Sequence, residues 1–274
     1  MNNLKNHKYL LIGFGRMGER YFNLLKKSRI KDIIVIEKNI DRIKLLTLKY
    51  KVDPKNIFSS LKNDFFKKNK TKFICIIATT ADFRLNLIRI LSTLNIKYIF
   101  CEKPMARSIN EAEKIIKLFK IKKIHLSINH SRRYAKETMV IRKIAKKNSM
   151  GNLICISLNG ANIGIAMVAI HLIEIFLHET KSKITNIYGK LIKNKLSNPR
   201  GRKFKDYNGY IFCKNKKNQN LIINTSESAG HGCCIFYTYQ KGMIMQDWIS
   251  GKIFVTARRT KYLNEPNYKY SLPQ

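Results

Sequence analysis

The 274 residues are enough for one large domain or two ordinary ones, and a hydrophobic content of 45% favours a buried core over disorder. No apolar run reaches the roughly 18–20 residues of a membrane-spanning helix, and the polar start, Met1 to Lys8, is unlike a secretory signal, so we expect a cytoplasmic protein with no membrane partner. The net charge of +37 is spread along the whole chain and accompanies no nucleic-acid-binding motif, which favours small anionic ligands over a nucleic-acid partner.

The cysteines do not indicate a metal or a disulfide framework. No Cys-x-x-Cys pair exists, and the neighbours His231, Cys233 and Cys234 alternate between the two faces of a strand. Three other cysteines lie in apolar strand-like runs, where a free thiol behaves as a small hydrophobic group: Cys75, Cys101 and Cys155. We therefore expect no metal site.

A glycine motif follows the first apolar run. The segment reads Gly13-Phe14-Gly15-Arg16-Met17-Gly18, and a helical pattern continues from Glu19 to Lys27. In the G-x-G-x-x-G motif the first glycine makes a tight turn, the second lets the backbone approach a pyrophosphate, and the third lets the helix pack against the strand. The helix N-terminus offers N–H groups to the phosphates. The pattern predicts a dinucleotide-binding turn.

A carboxylate follows the second apolar run. Ile33 to Ile36 reads as a buried strand and ends in Glu37, near the distance of about 20 residues from the first glycine at which a ribose-binding acid is expected. A carboxylate there accepts hydrogen bonds from the adenosine ribose and repels a 2′-phosphate, which favours NAD. Lys38 follows directly and offsets part of that repulsion, which leaves NADP open.

Strand and helix patterns then alternate, which predicts a parallel, doubly wound Rossmann sheet. Ser108 and Glu111 fit a capping box that opens a helix ending near Lys120. The other predicted elements are the strand Phe73 to Ala78, the helix Asp82 to Leu94, the strand Tyr98 to Cys101 and the strand His125 to Asn129.

The pattern changes in the second half of the chain. Two helices and a series of short strands separated by turn residues predict a mostly antiparallel sheet with helices on one face. We therefore expect an α/β protein with a Rossmann domain at residues 1–124 and an α+β domain at residues 125–274. The predicted elements are the helices 134–147 and 165–177 and the strands 152–158, 184–192, 210–213, 221–226, 235–239, 243–248 and 253–256.

Several motifs along the chain resemble one family of oxidoreductases, the group of glucose-fructose oxidoreductase, inositol dehydrogenase and MocA. The most specific is Cys101-Glu102-Lys103-Pro104 at a predicted strand end. The others are the glycine motif, Ala78-Thr79-Thr80, Asn129-His130-Ser131-Arg132-Arg133-Tyr134, His171 with Glu174, and Tyr239-Gln240-Lys241-Gly242 with Asp247.

The resemblance implies NAD(P)-dependent hydride transfer to or from a sugar-like alcohol or ketone. Lys103 would contact the reacting oxygen and His171 would transfer its proton, and an arginine pair favours an acidic or nucleotide-linked sugar. The cofactor residues implied are Gly13, Phe14, Gly15, Arg16, Met17, Gly18, Glu37, Lys38, Ala78, Thr79, Thr80, Glu102 and Lys103. The substrate residues implied are Asn129, Arg132, Arg133, Tyr134 and Glu174. The family's second sheet also forms a dimer interface, which implies a homo-oligomer.

Three alternatives stay open. The family usually carries an aspartate one turn before the catalytic histidine, and here that position is Met167, so an inactive nucleotide-binding sensor or regulatory subunit is the second hypothesis. His171 can also be an ordinary core residue, or share a metal with Glu174 and His178 on one helical face. Nucleic-acid binding through the basic surface is the third hypothesis.

Overall fold

The computed structural model describes residues 7–62, 64–68, 71–195, 205–230 and 232–265. The chain divides into two compact units, Met1–His130 and Ser131–Gln274. The first contains a parallel sheet of six strands and the second a mostly antiparallel sheet of seven, which confirms the predicted α/β class. None of the helices in the described ranges is long and apolar enough to span a membrane.

The first unit alternates strands with helices as predicted. Its sheet has the order β3-β2-β1-β4-β5-β6, with every pair parallel. The elements are β1 (His7–Ile12), α1 (Arg16–Lys27), β2 (Ile33–Ile36), α2 (Ile40–Leu48), β3 (Ile57–Phe58), α3 (Asp64–Lys68), β4 (Lys72–Ile77), α4 (Arg84–Leu91), β5 (Ile96–Glu102), α5 (Ile109–Lys122) and β6 (His125–Asn129).

The boundary between the units follows from the last strand of the first sheet. The predicted boundary lies after residue 124, whereas the first unit ends at His130. The reason is that β6 pairs in parallel with β5, from Tyr98 opposite His125 to Glu102 opposite Asn129. Residues 125–129 therefore belong to the first sheet.

The core of the first unit explains the continuous apolar runs of its strands. All four residues of β2 are buried, because helices cover both faces of a parallel sheet. Alternate residues enter two separate clusters: Ile34 and Ile36 lie in one, and Ile33 and Val35 in the other. α1 buries Gly18, Phe22 and Leu25 on a single face.

Two predicted helix features differ in detail. The helix expected at 82–94 is a 3₁₀ turn at Ala81–Phe83 followed by α4, and its end tightens because the N–H of Leu94 donates to the Leu91 carbonyl. Ser108 caps α5 by accepting the Glu111 N–H, as expected. The Glu111 carboxylate, however, accepts from the N–H of Arg107 rather than from that of Ser108.

The second unit is built on the antiparallel sheet, whose strand order is β13-β12-β11-β7-β10-β9-β8. β7 and β10 form its one parallel pair among the described residues. The elements are α6 (Lys136–Lys147), β7 (Leu153–Gly160), α7 (Ile170–Thr180), β8 (Ile184–Lys193), β9 (Tyr207–Asn215), β10 (Asn220–Thr225), β11 (Cys234–Tyr239), β12 (Gly242–Asp247) and β13 (Ile253–Ala257).

Both helices of the second unit pack on one face of this sheet. Leu172 and Phe176 of α7 are fully buried against Ile156 of β7, Ile223 of β10 and Ile244 of β12. Successive strand residues point to opposite faces, so the intervening side chains form an outer face on which neither of these two helices packs. This arrangement agrees with the predicted helices on one face.

Candidate functional site

The carboxyl ends of the parallel strands carry most of the predicted cofactor residues. Gly13 follows β1, Glu37 follows β2, Ala78 follows β4, and Glu102 ends β5. The chain leaves β1 toward β2 on one side, and β4 lies on the other, so the strand order reverses between β1 and β4. Ligands of such sheets bind outside the carboxyl ends at this reversal point.

The glycine turn has the geometry that a dinucleotide needs. Gly13 has φ +88°, a left-handed value that favours glycine, and it lies against Thr79 at the end of β4. A Cβ on Gly18 would lie 2.0 Å from the Gly13 carbonyl oxygen, so α1 packs this close only with glycine there. Gly15 is the N-cap of α1, and no described side chain caps it. The first-turn N–H groups therefore fit a pyrophosphate.

Glu37 is buried and holds the backbone around it. Its Oε2 accepts the Phe14 N–H at 2.6 Å, and its Oε1 accepts the N–H groups of Lys38 at 2.8 Å and Asn39 at 2.9 Å. Burial alone raises the pKa of this carboxyl, but these three hydrogen bonds and the charge of Arg42 outweigh burial and hold the pKa below its ordinary value. Glu37 is therefore charged, and its carboxylate is bound by the backbone N–H groups of the two adjacent turns.

Arg42 belongs to the same site and was not predicted from the sequence. Its Nη1 lies 3.6 Å from Glu37 Oε2, and the same atom is 3.4 Å from where a Cβ of Gly15 would be. The helix that carries it, α2, is capped by Asn39, whose side chain accepts the Arg42 N–H. Asn39 three residues before Arg42 was the available N-cap signal.

Glu102 is held by two side chains from other elements. The Tyr21 hydroxyl of α1 donates to Glu102 Oε1, and Asn129 Nδ2 donates to the same oxygen at 2.7 Å. Asn129 Nδ2 also lies 2.6 Å from the Tyr21 oxygen. Burial, the hydrogen bond to Glu102 and its negative charge raise the pKa of Tyr21. The side-chain amide of Asn129, a predicted substrate residue, thus binds Glu102 of the protein itself.

A buried arginine links the ends of β4 and β5. Arg84 is 1% exposed, and its guanidinium donates to the Thr79 carbonyl at 2.7 Å and to the Glu102 carbonyl at 2.8 Å. It also donates to the Cys101 sulfur, whose pKa burial raises to about 11. The sequence pattern did not single out Arg84.

The other predicted residues of the first unit lie at the same sheet edge. Lys103 follows Glu102 directly, is partly buried, and precedes Pro104 in a cis peptide bond. Arg16 and Lys38 are exposed, and the Thr80 hydroxyl donates to Asp82 at 3.1 Å. Met17 occupies the first turn of α1.

His171 lies at the start of α7 in the second unit and is 9% exposed. A π-helical turn, Ile165–Ala169, leads into this helix. The Asp206 carboxylate anchors the turn by accepting the N–H groups of Ala166 at 2.9 Å and Met167 at 3.1 Å. Asp206 is 40 residues from Ala166 in sequence and was not predicted as part of the site.

The arginine pair of the second unit contacts other side chains. Arg133 Nη1 forms a 2.5 Å ion pair with Glu174, one turn after His171 on α7, and Arg133 also donates to the Tyr134 hydroxyl. Arg132 is exposed and stacks on Trp248, with 4.2 Å between the guanidinium carbon and the ring centroid. Arg133, Tyr134 and Glu174 are therefore brought together, and Arg132 presents a separate cationic surface.

The geometry around His171 does not resemble a metal centre. Glu174 is paired with Arg133, and burial, together with the charges of Lys181 and Arg142, lowers the pKa of His178. Within the described ranges, no three His, Cys, Asp or Glu side chains are grouped to hold a metal. The predicted position of His231 lies outside the described residues.

Residues 7–130 match the model of an oxidoreductase family with an NAD-binding Rossmann fold. No curated protein matches the sequence significantly. The family match ends at the boundary of the first unit, and it covers the glycine turn, Glu37, Lys103 and Asn129.

Solved structures of an oxidoreductase and of two sugar or inositol dehydrogenases share the fold over most of the chain. An oxidoreductase from Agrobacterium radiobacter, in complex with NAD+, L-tartaric acid and magnesium, has a TM-score of 0.75 at 15% identity, covering 92% of this chain and 77% of that one. The myo-inositol 2-dehydrogenase from Lactobacillus plantarum has a TM-score of 0.71 at 17% identity, with coverages of 88% and 76%. The UDP-N-acetylglucosamine 3-dehydrogenase from Acidithiobacillus ferrooxidans has a TM-score of 0.70 at 14% identity, covering 91% of this chain and 80% of that one.

These matches agree with the strand order, the glycine turn and the Glu-Lys-Pro element of the first unit. Residues 7–130 match the Gfo/Idh/MocA model of oxidoreductases with an NAD-binding Rossmann fold, which confirms the predicted resemblance over this part of the chain.

Proposed function

We propose that the protein is a dehydrogenase or reductase that uses a nicotinamide dinucleotide to interconvert an alcohol and a ketone on a sugar-like substrate. The observation that carries this proposal is the position of Lys103. It follows the fixed carboxylate of Glu102 at the end of β5, on the sheet edge where the glycine turn lies. When bound, the cofactor supplies the hydride acceptor or donor.

Lys103 stabilises the substrate oxygen in this proposal. A hydride leaves a carbinol carbon only as the hydroxyl proton is lost, so the oxygen develops negative charge that a nearby cation stabilises. Glu102 cannot rotate freely because Tyr21 and Asn129 both bind its carboxylate. This restraint on the preceding residue orients the backbone from which Lys103 extends.

His171 moves the proton. An imidazole titrates near neutral pH, so His171 accepts the hydroxyl proton during oxidation and returns it during reduction. The usual aspartate is replaced by Met167, but two other contacts hold the helix: Asp206 binds the preceding turn, and Arg133 binds Glu174. The imidazole is therefore carried by an anchored helix.

An anionic sugar suits the charge of the second unit. Arg132 is exposed and stacks on Trp248, and the N–H groups at the edge of a stacked guanidinium suit a carboxylate or phosphate. Arg133 is less available because it already binds Glu174. Sugar acids and nucleotide-linked sugars are therefore the first substrates to test.

The test combines cofactor binding with turnover. Reduced cofactor is titrated by its fluorescence, and sugars, inositols, sugar acids and nucleotide sugars are screened by absorbance at the nicotinamide band. Lys103→Ala should abolish turnover and leave cofactor binding within about threefold, since the phosphates bind the glycine turn. Lys97→Ala is the matched control, because Lys97 is an exposed lysine of the same strand.

Two outcomes contradict the proposal. Turnover that survives Lys103→Ala removes the assigned role of that lysine. Tight cofactor binding without turnover on any substrate favours the sensor or regulatory subunit, with Met167 as the replaced residue. Binding of neither cofactor contradicts both hypotheses.

The outer face of the second sheet supports a homo-oligomer. One register row runs across all seven strands and is apolar at six of its seven positions. The row consists of Tyr188, Phe212, Ile222, Ser157, Phe236, Met245 and Phe254. Tyr188 is 62% and Phe254 54% exposed, and a largely apolar row with exposed large side chains is typical of a protein interface. We propose that a second copy packs on this row.

A further inference from the structure

The carboxylate predicted to bind the adenosine ribose is occupied by the protein itself. Glu37 accepts hydrogen bonds from three backbone N–H groups, those of Phe14, Lys38 and Asn39, and its side chain is only 8% exposed. An ionised carboxylate offers about four acceptor positions, and Arg42 faces one of its oxygens as well. Little capacity remains to accept two ribose hydroxyls.

The guanidinium of Arg42 covers this carboxylate and faces solvent. Its side chain is 49% exposed, and Nη1 contacts both Glu37 and the position above Gly15. Arg42 makes no side-chain hydrogen bond to any residue in the described ranges, so its planar N–H donors remain available. A guanidinium in this setting binds a phosphate through two parallel hydrogen bonds.

A second cation lies beside it. Lys38 is exposed and, in the described part of the chain, forms no ion pair. The segment 37–44 carries Lys38, Arg42 and Lys44 against the carboxylates Glu37 and Asp41. Because Glu37 is charged, buried and paired, the surface presented at the end of β2 is cationic.

We propose that the protein selects NADP(H) over NAD(H), and that Arg42 and Lys38 bind the 2′-phosphate of the adenosine ribose. Glu37 then acts as a support that fixes the turn and orients Arg42, rather than as a ribose ligand. This inference rests on the proposed use of a nicotinamide dinucleotide. It reverses the preference for NAD that Glu37 suggested in the sequence.

Equilibrium binding tests the inference without turnover. Isothermal titration calorimetry gives the Kd of NADPH and NADH, and of the fragments 2′,5′-ADP and 5′-AMP, for the wild-type protein. We expect NADPH to bind at least about tenfold more tightly than NADH, since one charge-assisted hydrogen bond accounts for about that factor. The fragments should show the same order.

Variants separate a specific contact from general attraction by a basic protein. Arg42→Gln should raise the Kd of NADPH and of 2′,5′-ADP about tenfold or more, and change that of NADH less than about threefold. Lys44→Gln removes the same charge from an exposed position of the same helix and should change neither Kd beyond about twofold. Lys38→Gln should raise the Kd of NADPH by less than Arg42→Gln and by more than Lys44→Gln.

Three results would overturn the inference. NADH binding as tightly as NADPH excludes the selection while leaving the proposed oxidoreductase function intact. An equal rise in the Kd of NADPH in Arg42→Gln and Lys44→Gln shows that the overall charge of the protein, and not a specific contact, determines NADPH affinity. Binding of neither cofactor overturns the inference together with the proposed function.

Discussion

The carboxylate of Glu37 accepts the backbone N–H of Phe14 at 2.6 Å and so joins the end of β2 to the glycine turn after β1. The two residues belong to neighbouring parallel strands, and the bond is buried. The same carboxylate binds the N–H groups that open α2. One side chain therefore sets the shape of two adjacent turns at the cofactor edge.

Glu37→Gln should lower the free energy of unfolding by about 1–3 kcal/mol. The amide group of glutamine keeps one acceptor oxygen and turns an N–H toward a backbone donor, so at least one buried N–H loses its partner. Urea denaturation measures the change. Glu113→Gln, an exposed position on α5, is the control and should change stability by less than about 0.5 kcal/mol.

The difference in unfolding free energy between the wild type and Glu37→Gln should depend on pH. The pKa of Glu37 is lowered in the folded state, so its contribution is present above the unfolded pKa of about 4.3 and is lost as pH falls through the folded pKa. The stability gap between wild type and Glu37→Gln should be constant from neutral pH to about pH 5 and shrink below it. A gap that persists undiminished at pH 3 contradicts the lowered pKa.

Tyr21→Phe should destabilise the protein by about 1–3 kcal/mol and reduce turnover, because among the described side chains Glu102 then keeps a single donor, the Asn129 amide. The expected signature is a lower kcat with cofactor affinity nearly unchanged. Tyr98→Phe, on the same strand as Glu102, is the control. Equal kcat values for both variants would show that Tyr21 has only a structural role.

Local patterns predicted most of the strands because their apolar runs are short and bounded, whereas the two-residue strand β3 was not predicted. The predicted ranges of β2 and β6 are the observed ones, and the strand-end positions of Gly13 and Glu102 followed from the parallel topology. α2 escaped prediction because it buries a single residue, Leu46, and so has little apolar periodicity.

The partners of the site residues could not be predicted in the same way. Tyr21 is 81 residues from Glu102, and Asp206 is 40 residues from Ala166, and no local spacing relates such pairs. Only the three-dimensional structure shows that Glu37 accepts hydrogen bonds from backbone N–H groups and that Asn129 donates to Glu102. Sequence patterns located the site, whereas long-range hydrogen bonds determine which groups remain available for ligands.

Arg84→Met should cost about 3 kcal/mol or more, because it leaves the buried Glu102 carbonyl and the partly buried Thr79 carbonyl without their donor. Both carbonyls lie at strand ends of the cofactor edge, so cofactor affinity should fall as well. Thermal denaturation and cofactor titration measure the two effects. Arg89→Met on the exposed face of α4 should reproduce neither.

Asp206→Ala should loosen the start of the helix that carries His171. The variant loses two hydrogen bonds to the Ala166 and Met167 N–H groups, and we expect a loss of about 0.5–2 kcal/mol, as for other helix caps. Amide hydrogen exchange should accelerate at Ala166 and Met167. Unchanged exchange there would exclude the anchoring role, whereas Glu137→Gln should leave these amides unaffected.

The apolar row of the second sheet predicts how the assembly responds to charge. Light scattering should give the wild type at least twice the 32.0 kDa mass of one chain. The double variant Tyr188→Lys with Ile222→Lys should reduce the mass to that of one chain, because buried lysines at an interface are costly to desolvate. Ile187→Lys is the matched control, since Ile187 is 67% exposed beside Tyr188 but points to the opposite face. If Ile187→Lys alone dissociates the assembly, the interface lies on the helix side of the sheet and the assigned row is wrong.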